Sequence, residues 1–248
     1  MVLAVVAILI GAVVQAATGI GFALVAAPAL LVTHPAPEAV ATVLVLSLAL
    51  NLLMLFAEGR RPQVLVGRLT PLLIAAMPGL VVGALLLGEL SKPPVQVVAG
   101  AAIVLAGLLE LRQPPRVAAS EPSARLTMAV GGTAGVLAAL TTVYGPPILL
   151  WLRRLGANPV QVRDSLAAAF LVLNSLGTIA VAVLANRDGA LDPLTVLVLI
   201  APLLVGHALG RRAFARIAPA RFRALSLLVV LAAGLASAAA GLVAIAGD

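Results

Sequence analysis

The side chains able to do chemistry are few, and they share one character. Gln15 and Thr18 stand in or beside Ala17-Thr18-Gly19-Ile20-Gly21, while Thr141, Thr142 and Tyr144 belong to Thr141-Thr142-Val143-Tyr144-Gly145-Pro146-Pro147. All five are neutral hydrogen-bond donors, set among glycines and prolines of the kind that end helices. A helix starting after such a break exposes unpaired N–H groups and a partial positive charge, which suits an anion. Asn51 and Asn174 are the other polar landmarks, each in the middle of an apolar stretch. A mid-membrane amide joins helix to helix, touches a ligand or braces the broken segments. His207 is the one histidine inside an apolar stretch and would carry a proton or, when charged, contact an anion. The expected binding residues are therefore Gln15, Thr18, Gly19, Gly21, Asn51, Thr141, Thr142, Tyr144, Gly145, Asn174 and His207.

Other chemistries lack their residues. Cysteine is absent, which removes disulfides and thiolate metal sites. No phosphate-binding glycine loop, H-E-x-x-H or G-x-S-x-G is present. Glu58, Glu89, Glu110 and Asp164 all fall near the ends of apolar stretches, against a carboxylate cation site at their centres. Arg163 and Asp164 read as an interfacial pair or a gate. No catalytic residue, metal ligand or cofactor is expected.

Composition then dictates where these residues sit. Of 248 residues, 62% are hydrophobic and 10% charged, against roughly a quarter charged in a soluble domain. Soluble enzymes, nucleic-acid-binding domains and disordered chains are excluded on that ground. The net charge of +7 comes from basic residues at the edges of apolar runs, with only 3% aromatics between them. That arrangement marks membrane topology. The start, MVLAVVAILIGAVVQ, carries no positive charge before Arg60, so no cleavable signal is expected.

A span needs about 20 apolar residues. Six segments fit: 38–57, 69–88, 94–111, 164–185, 193–210 and 224–246. Residues 2–33 and 126–152 do not, because the first alone would make a helix of about 48 Å. Both are interrupted at the runs quoted above, leaving pieces expected to be too short to span. The second pieces are expected to begin at Phe22 and Ile148.

Landmarks recur at a nearly constant interval. Gly11/Gly135, Thr18/Thr142 and Gly21/Gly145 are 124 apart; Asn51/Asn174 and Gly83/Gly206 are 123 apart. Leu-Ala-Leu-Asn51 matches Leu-Val-Leu-Asn174, and Pro78-Gly-Leu-Val-Val-Gly83 matches Pro202-Leu-Leu-Val-Gly206. The expected fold is an all-α polytopic membrane protein of about eight hydrophobic segments. It contains two repeats of one broken or re-entrant segment plus three transmembrane helices. The first repeat is 1–111, the connecting cytoplasmic loop 112–124 and the second repeat 125–248.

Charge separates spanning from re-entry. If both broken segments span, the 16 basic residues divide seven to nine between the two sides. If both turn back, loops 58–68, 112–125, 153–163 and 211–223 share a side and collect all but Lys92 and Arg187. The positive-inside rule favours this arrangement. Turning back only the second segment gives the same division, since nothing before Arg60 is basic; the repeat argues that both behave alike. Two hairpins also make the halves inverted copies, a symmetry common in secondary transporters.

The run Gly11 to Gly21 followed by Ala27-Pro28-Ala-Leu30 resembles the first glycine-rich signature of the TauE/SafE sulfite exporter family. Gly131-Gly-Thr-Ala-Gly135 through Tyr144-Gly145-Pro146-Pro147 is similar to the second, and Pro202 to Gly210 to a third. Phe22 departs from a glycine frequent there in the family. The resemblance covers essentially the whole chain. It implies export of sulfite, organosulfonates or related small anions across the bacterial cytoplasmic membrane. The expected partners are a small anionic solute and the lipid bilayer, with no nucleic acid and with a homo-oligomer left open. Two rivals stand beside this reading: an anion channel of the same fold, and a membrane scaffold without transport.

Overall fold

The computed structural model describes residues 2–57, 59–112, 120–185, 192–214 and 219–247. In chain order they form α1 (Val2–Thr18), α2 (Phe22–Thr33), α3 (Ala36–Phe56), α4 (Val66–Glu89) and α5 (Lys92–Arg112). After the connecting stretch come α6 (Ala124–Thr141), α7 (Gly145–Arg154), α8 (Pro159–Ala180), α9 (Pro193–Phe214) and α10 (Pro219–Gly247). A π turn, Val181–Ala185, extends α8. The described residues contain no strand.

Among the described residues, six helical segments are long and apolar enough to cross a membrane: α3, α4, α5 to Leu109, α6, α8 with its π turn, and α9 to Arg212. Five of these coincide with expected spans; the sixth expected one lies within the 29-residue α10. The difference is α6. At 18 residues it is not too short, because the break falls late in its segment and leaves a 10-residue α7.

The breaks lie where glycine and proline foretell them, but they are built differently. Between α1 and α2, Gly19 and Gly21 take φ of +85° and +125°, which glycine alone adopts without strain. Between α6 and α7 the unusual conformation falls on Thr142, at φ 62°, the one positive-φ non-glycine among the described residues. Helix α7 starts at Gly145, three residues before Ile148. Pro146 and Pro147 do not delay it, since in a first turn their fixed φ fits and their missing N–H has no intrahelical partner to lose.

Both broken segments double back. Trp151 near the end of α7 donates to the Thr127 hydroxyl near the start of α6 at 3.0 Å, and Ser120 N–H donates to Arg154 C=O at 2.8 Å. In the first hairpin α2 packs along α1, with Gly11 against the Phe22 backbone.

The helices then pair as α1 with α9, α4 with α6, α3 with α8 and α5 with α10. Small residues bring three of these pairs to backbone contact, Gly100 and Gly241 doing so between α5 and α10. A Cβ on Gly79 or Gly83 would lie 2.2 and 2.4 Å from the carbonyls of Gly132 and Val136. One on Gly131 or Gly135 would lie 2.4 and 2.1 Å from those of Leu72 and Ala76. On α9, a Cβ on Gly206 or Gly210 would lie 2.5 Å from the carbonyl oxygens of Leu9 and Val13 respectively. Such packing is the main cohesive force between helices where surrounding lipid is as apolar as leucine. The outward faces agree with that solvent: Ile74, Val183, Leu194, Leu197 and Val243 are each 66–74% exposed.

Polar contacts hold the ends. Asn158 caps α8 in a capping box with Gln161. Asp192 caps α9, and the Thr195 hydroxyl, aided by the Leu194 and Thr195 N–H groups, holds its carboxyl below the usual carboxylate range. Asp164 pairs with Arg60 through two 2.6 Å bonds and also accepts from Gln63 N–H at 2.7 Å. Arg163, whose charge also acts on Asp164, lies under Gly19 and donates to Ala16 C=O at 3.2 Å.

Candidate functional site

The two breaks meet at the centre. Ile20 approaches Gly145, and between them, walled by α3 and α8, lies a cavity of about 30 Å³. That is room for about two waters. Its lining includes seven of the eleven expected residues: Gln15, Gly21, Asn51, Thr142, Tyr144, Gly145 and Asn174. Among the described residues no charged one lines it.

On the first-break side the glutamine and asparagine side chains are both engaged. Gln15 Oε1 accepts from Phe22 N–H at 3.2 Å, and its amide donates to Asn51 Oδ1 at 3.0 Å. Asn51 in turn donates to Ser47 C=O at 2.7 Å. One glutamine thus caps the start of α2 and anchors α1 to α3. Ala23 and Leu24 follow Phe22 in the cavity wall; as first-turn residues, their N–H groups have no helical acceptor.

On the second-break side two groups are left over. Tyr144 OH donates to Asn174 Oδ1, and the Phe170 ring meets the tyrosine edge to face with centroids 5.1 Å apart. This fixes the Asn174 amide so that Oδ1 is occupied. Its Nδ2 has no partner, and neither has Thr142 Oγ1, although both residues are only 2% exposed. Buried polar groups are almost always paired, and an orphaned one costs about 1–3 kcal/mol. Thr142 adds a left-handed backbone that a β-branched residue resists. Strained backbone of this kind clusters at functional sites. Helix α7 contributes less than α2, since Pro146 and Pro147 remove two first-turn donors.

Four expected residues lie elsewhere. Thr18 is exposed and its hydroxyl donates to Val14 C=O in its own helix at 2.9 Å. Gly19 faces Arg163. Thr141 donates to Leu137 C=O and accepts from Val143 N–H. His207 is buried on α9 beside the α1 contact and does not line the cavity. Phe170 was not foreseen; its one signal is its place four residues before Asn174, hence on the same helix face.

Comparison with known proteins agrees with the motifs. A protein of Cupriavidus necator named "Probable sulfite/organosulfonate exporter TauE" is 28% identical over 165 residues, 65% of this chain. The chain spans 63% of that relative's length. No solved structure matches. The family's members are transporters rather than enzymes, and the candidate spans fit a multi-pass inner-membrane protein. The sequence profile of the sulfite exporter TauE/SafE matches residues 3–237, and the chain belongs to that family.

Proposed function

We propose that this chain is a secondary transporter that exports small sulfur-containing anions, sulfite or organosulfonates, across the cytoplasmic membrane by alternating access at its two breaks. The observation that carries this reading is the pair of buried donors, Thr142 Oγ1 and Asn174 Nδ2, without partners beside a neutral cavity. Unmet donors in a low-dielectric site favour an anion. Thr142, Asn174 and the α2 first turn bind it; Gln15, Asn51, Tyr144 and the glycines Gly21 and Gly145 hold the frame. A cavity of about 30 Å³ is an occluded form that opens to admit solute.

The frame is an inverted duplication of 1–111 and 125–248 about the cytoplasmic loop 112–124. The helix pairs support it: exchanging α1–α5 with α6–α10 maps α1·α9 onto α4·α6 and returns α3·α8 and α5·α10 to themselves. The glycine contacts run parallel in the first two pairs and antiparallel in the last, as inversion requires. With the basic loops inside, a negative interior favours anion exit by about 2.3 kcal/mol per charge per 100 mV.

Sulfite efflux from proteoliposomes, with and without an imposed potential, tests the reading. Saturable, potential-sensitive efflux stimulated by counter-solute is expected. Unsaturable flux indifferent to counter-solute would mean a channel. Efflux no greater than from empty liposomes, for sulfite and organosulfonates alike, would remove the proposed substrates.

A further inference from the structure

A second cavity opens on the outer side of the second hairpin. It is a groove of about 320 Å³ between α5, α6 and α7, walled by Leu105, Leu109, Leu126, Val130 and Trp151, with Arg154 its one charged lining residue. The corresponding place beside the first hairpin is filled, since α2 packs against both α10 and α5, whereas α7 makes no comparable contact with either. That correspondence rests on the repeat proposed above; the groove itself does not.

Cations gather at one end. Arg154 closes α7, and Arg112 closes α5 three residues beyond Leu109, on the same helix face. Arg125 precedes Leu126 in the first turn of α6. All three side chains are exposed. The nearby carboxylate of Glu121 is taken by Arg68.

We propose that the groove holds an acyl chain of an anionic phospholipid, with its phosphate among Arg112, Arg125 and Arg154. An apolar slot open to the bilayer does not hold water, and lipid is the solvent at hand. Basic clusters between transmembrane helices select anionic headgroups, and guanidinium groups match phosphate geometry. Trp151, its indole N–H held by Thr127, is placed as tryptophans are at the interface.

Native mass spectrometry of the full chain, released from vesicles of equal phosphatidylglycerol and phosphatidylcholine, reads this directly. The expected result is one retained lipid, phosphatidylglycerol preferred. Arg112→Gln and Arg154→Gln should each weaken retention about fivefold. Ala102→Phe, which fills the groove, should abolish retention while leaving the thermal midpoint in lipid-free detergent unchanged. Equal retention of both lipids, or an undiminished preference in the arginine double variant, would overturn the proposal. So would a dimer in place of the lipid adduct. The arginine substitutions are at exposed sites and decide the matter whether or not Ala102→Phe folds. The readout involves no transport, so its failure leaves the exporter reading untouched.

Discussion

The two breaks occupy matching places in the chain, yet one is closed and the other open. At the first, glycines take the left-handed conformations and Gln15 satisfies both the Phe22 N–H and Asn51. At the second, a threonine takes the left-handed conformation, and Thr142 Oγ1 and Asn174 Nδ2 are left without partners. No glutamine stands at the position matching Gln15; Ala139 does. Tyr144 takes over the clamping of its asparagine but can engage only the carbonyl oxygen. Equivalent landmarks thus differ: the first break is a brace, and the second holds the unpartnered donors on which the proposed anion site rests.

The sharpest way to break that contrast is Gly21→Ala. The new Cβ would sit 2.5 Å from Val14 Cγ1 at a φ of +125°, and valine has little freedom to move aside. A loss of about 3–5 kcal/mol is expected, read as a collapse of the thermal midpoint in detergent. Gly145→Ala, at the matching landmark, has no positive φ and meets the Phe170 ring at 3.0 Å. It should cost about 1 kcal/mol. Equal losses would mean that the first break is no more rigidly specified than the second.

Next in size is Gln15→Leu. It leaves the buried Phe22 N–H and Asn51 Oδ1 without their present partners, at about 1–3 kcal/mol each. A drop of about 2–4 kcal/mol is expected. A midpoint close to wild type would show that water or lipid replaces the clamp and that the first break is as open as the second.

Much of this was legible in the chain. Both breaks fall where glycine and proline cluster, α2 begins at Phe22, and the small-residue pairs Gly79/Gly83 and Gly206/Gly210 lie in close helix contacts. These features are local, and local rules reach them. The choice of partner is not local. Helical spacing places Thr18, Thr141 and His207 on helices near the breaks, but not which face turns to the cavity. Nor does it reveal that Thr18 and Thr141 bond back to their own helices, an option open to any threonine. Asp164 was readable as a partner for its neighbour Arg163; the fold brings Arg60 to it from 104 residues away.

Function should respond where stability does not. Thr142→Val keeps the volume and the backbone constraint but removes the unpartnered hydroxyl. Its thermal midpoint should stay within about 1 kcal/mol of wild type, because no bond is broken. Sulfite efflux at limiting concentration should fall about ten- to a hundredfold, the worth of one hydrogen bond to a charged group. Thr18→Val serves as its mirror: that hydroxyl does not line the cavity and bonds backbone groups, Val14 C=O and the C=O and N–H of Ile20, so efflux should change less than about twofold. Matching losses from both variants would restore symmetry to the two breaks and undo the distinction.

The smallest effect expected is a gain. Thr142→Gly relieves a β-branched residue at φ 62° and deletes a buried hydroxyl with no partner. Against this stands the greater freedom of glycine in the unfolded chain, about 0.5–1 kcal/mol. The strain released is about 1–3 kcal/mol, so the midpoint should rise by the equivalent of about 1 kcal/mol while efflux falls as in Thr142→Val. Opposite movement of stability and transport is the mark of a residue held in strain for its ligand. A lower midpoint would instead make Thr142 part of the brace, and the left-handed threonine would then be no evidence of a site.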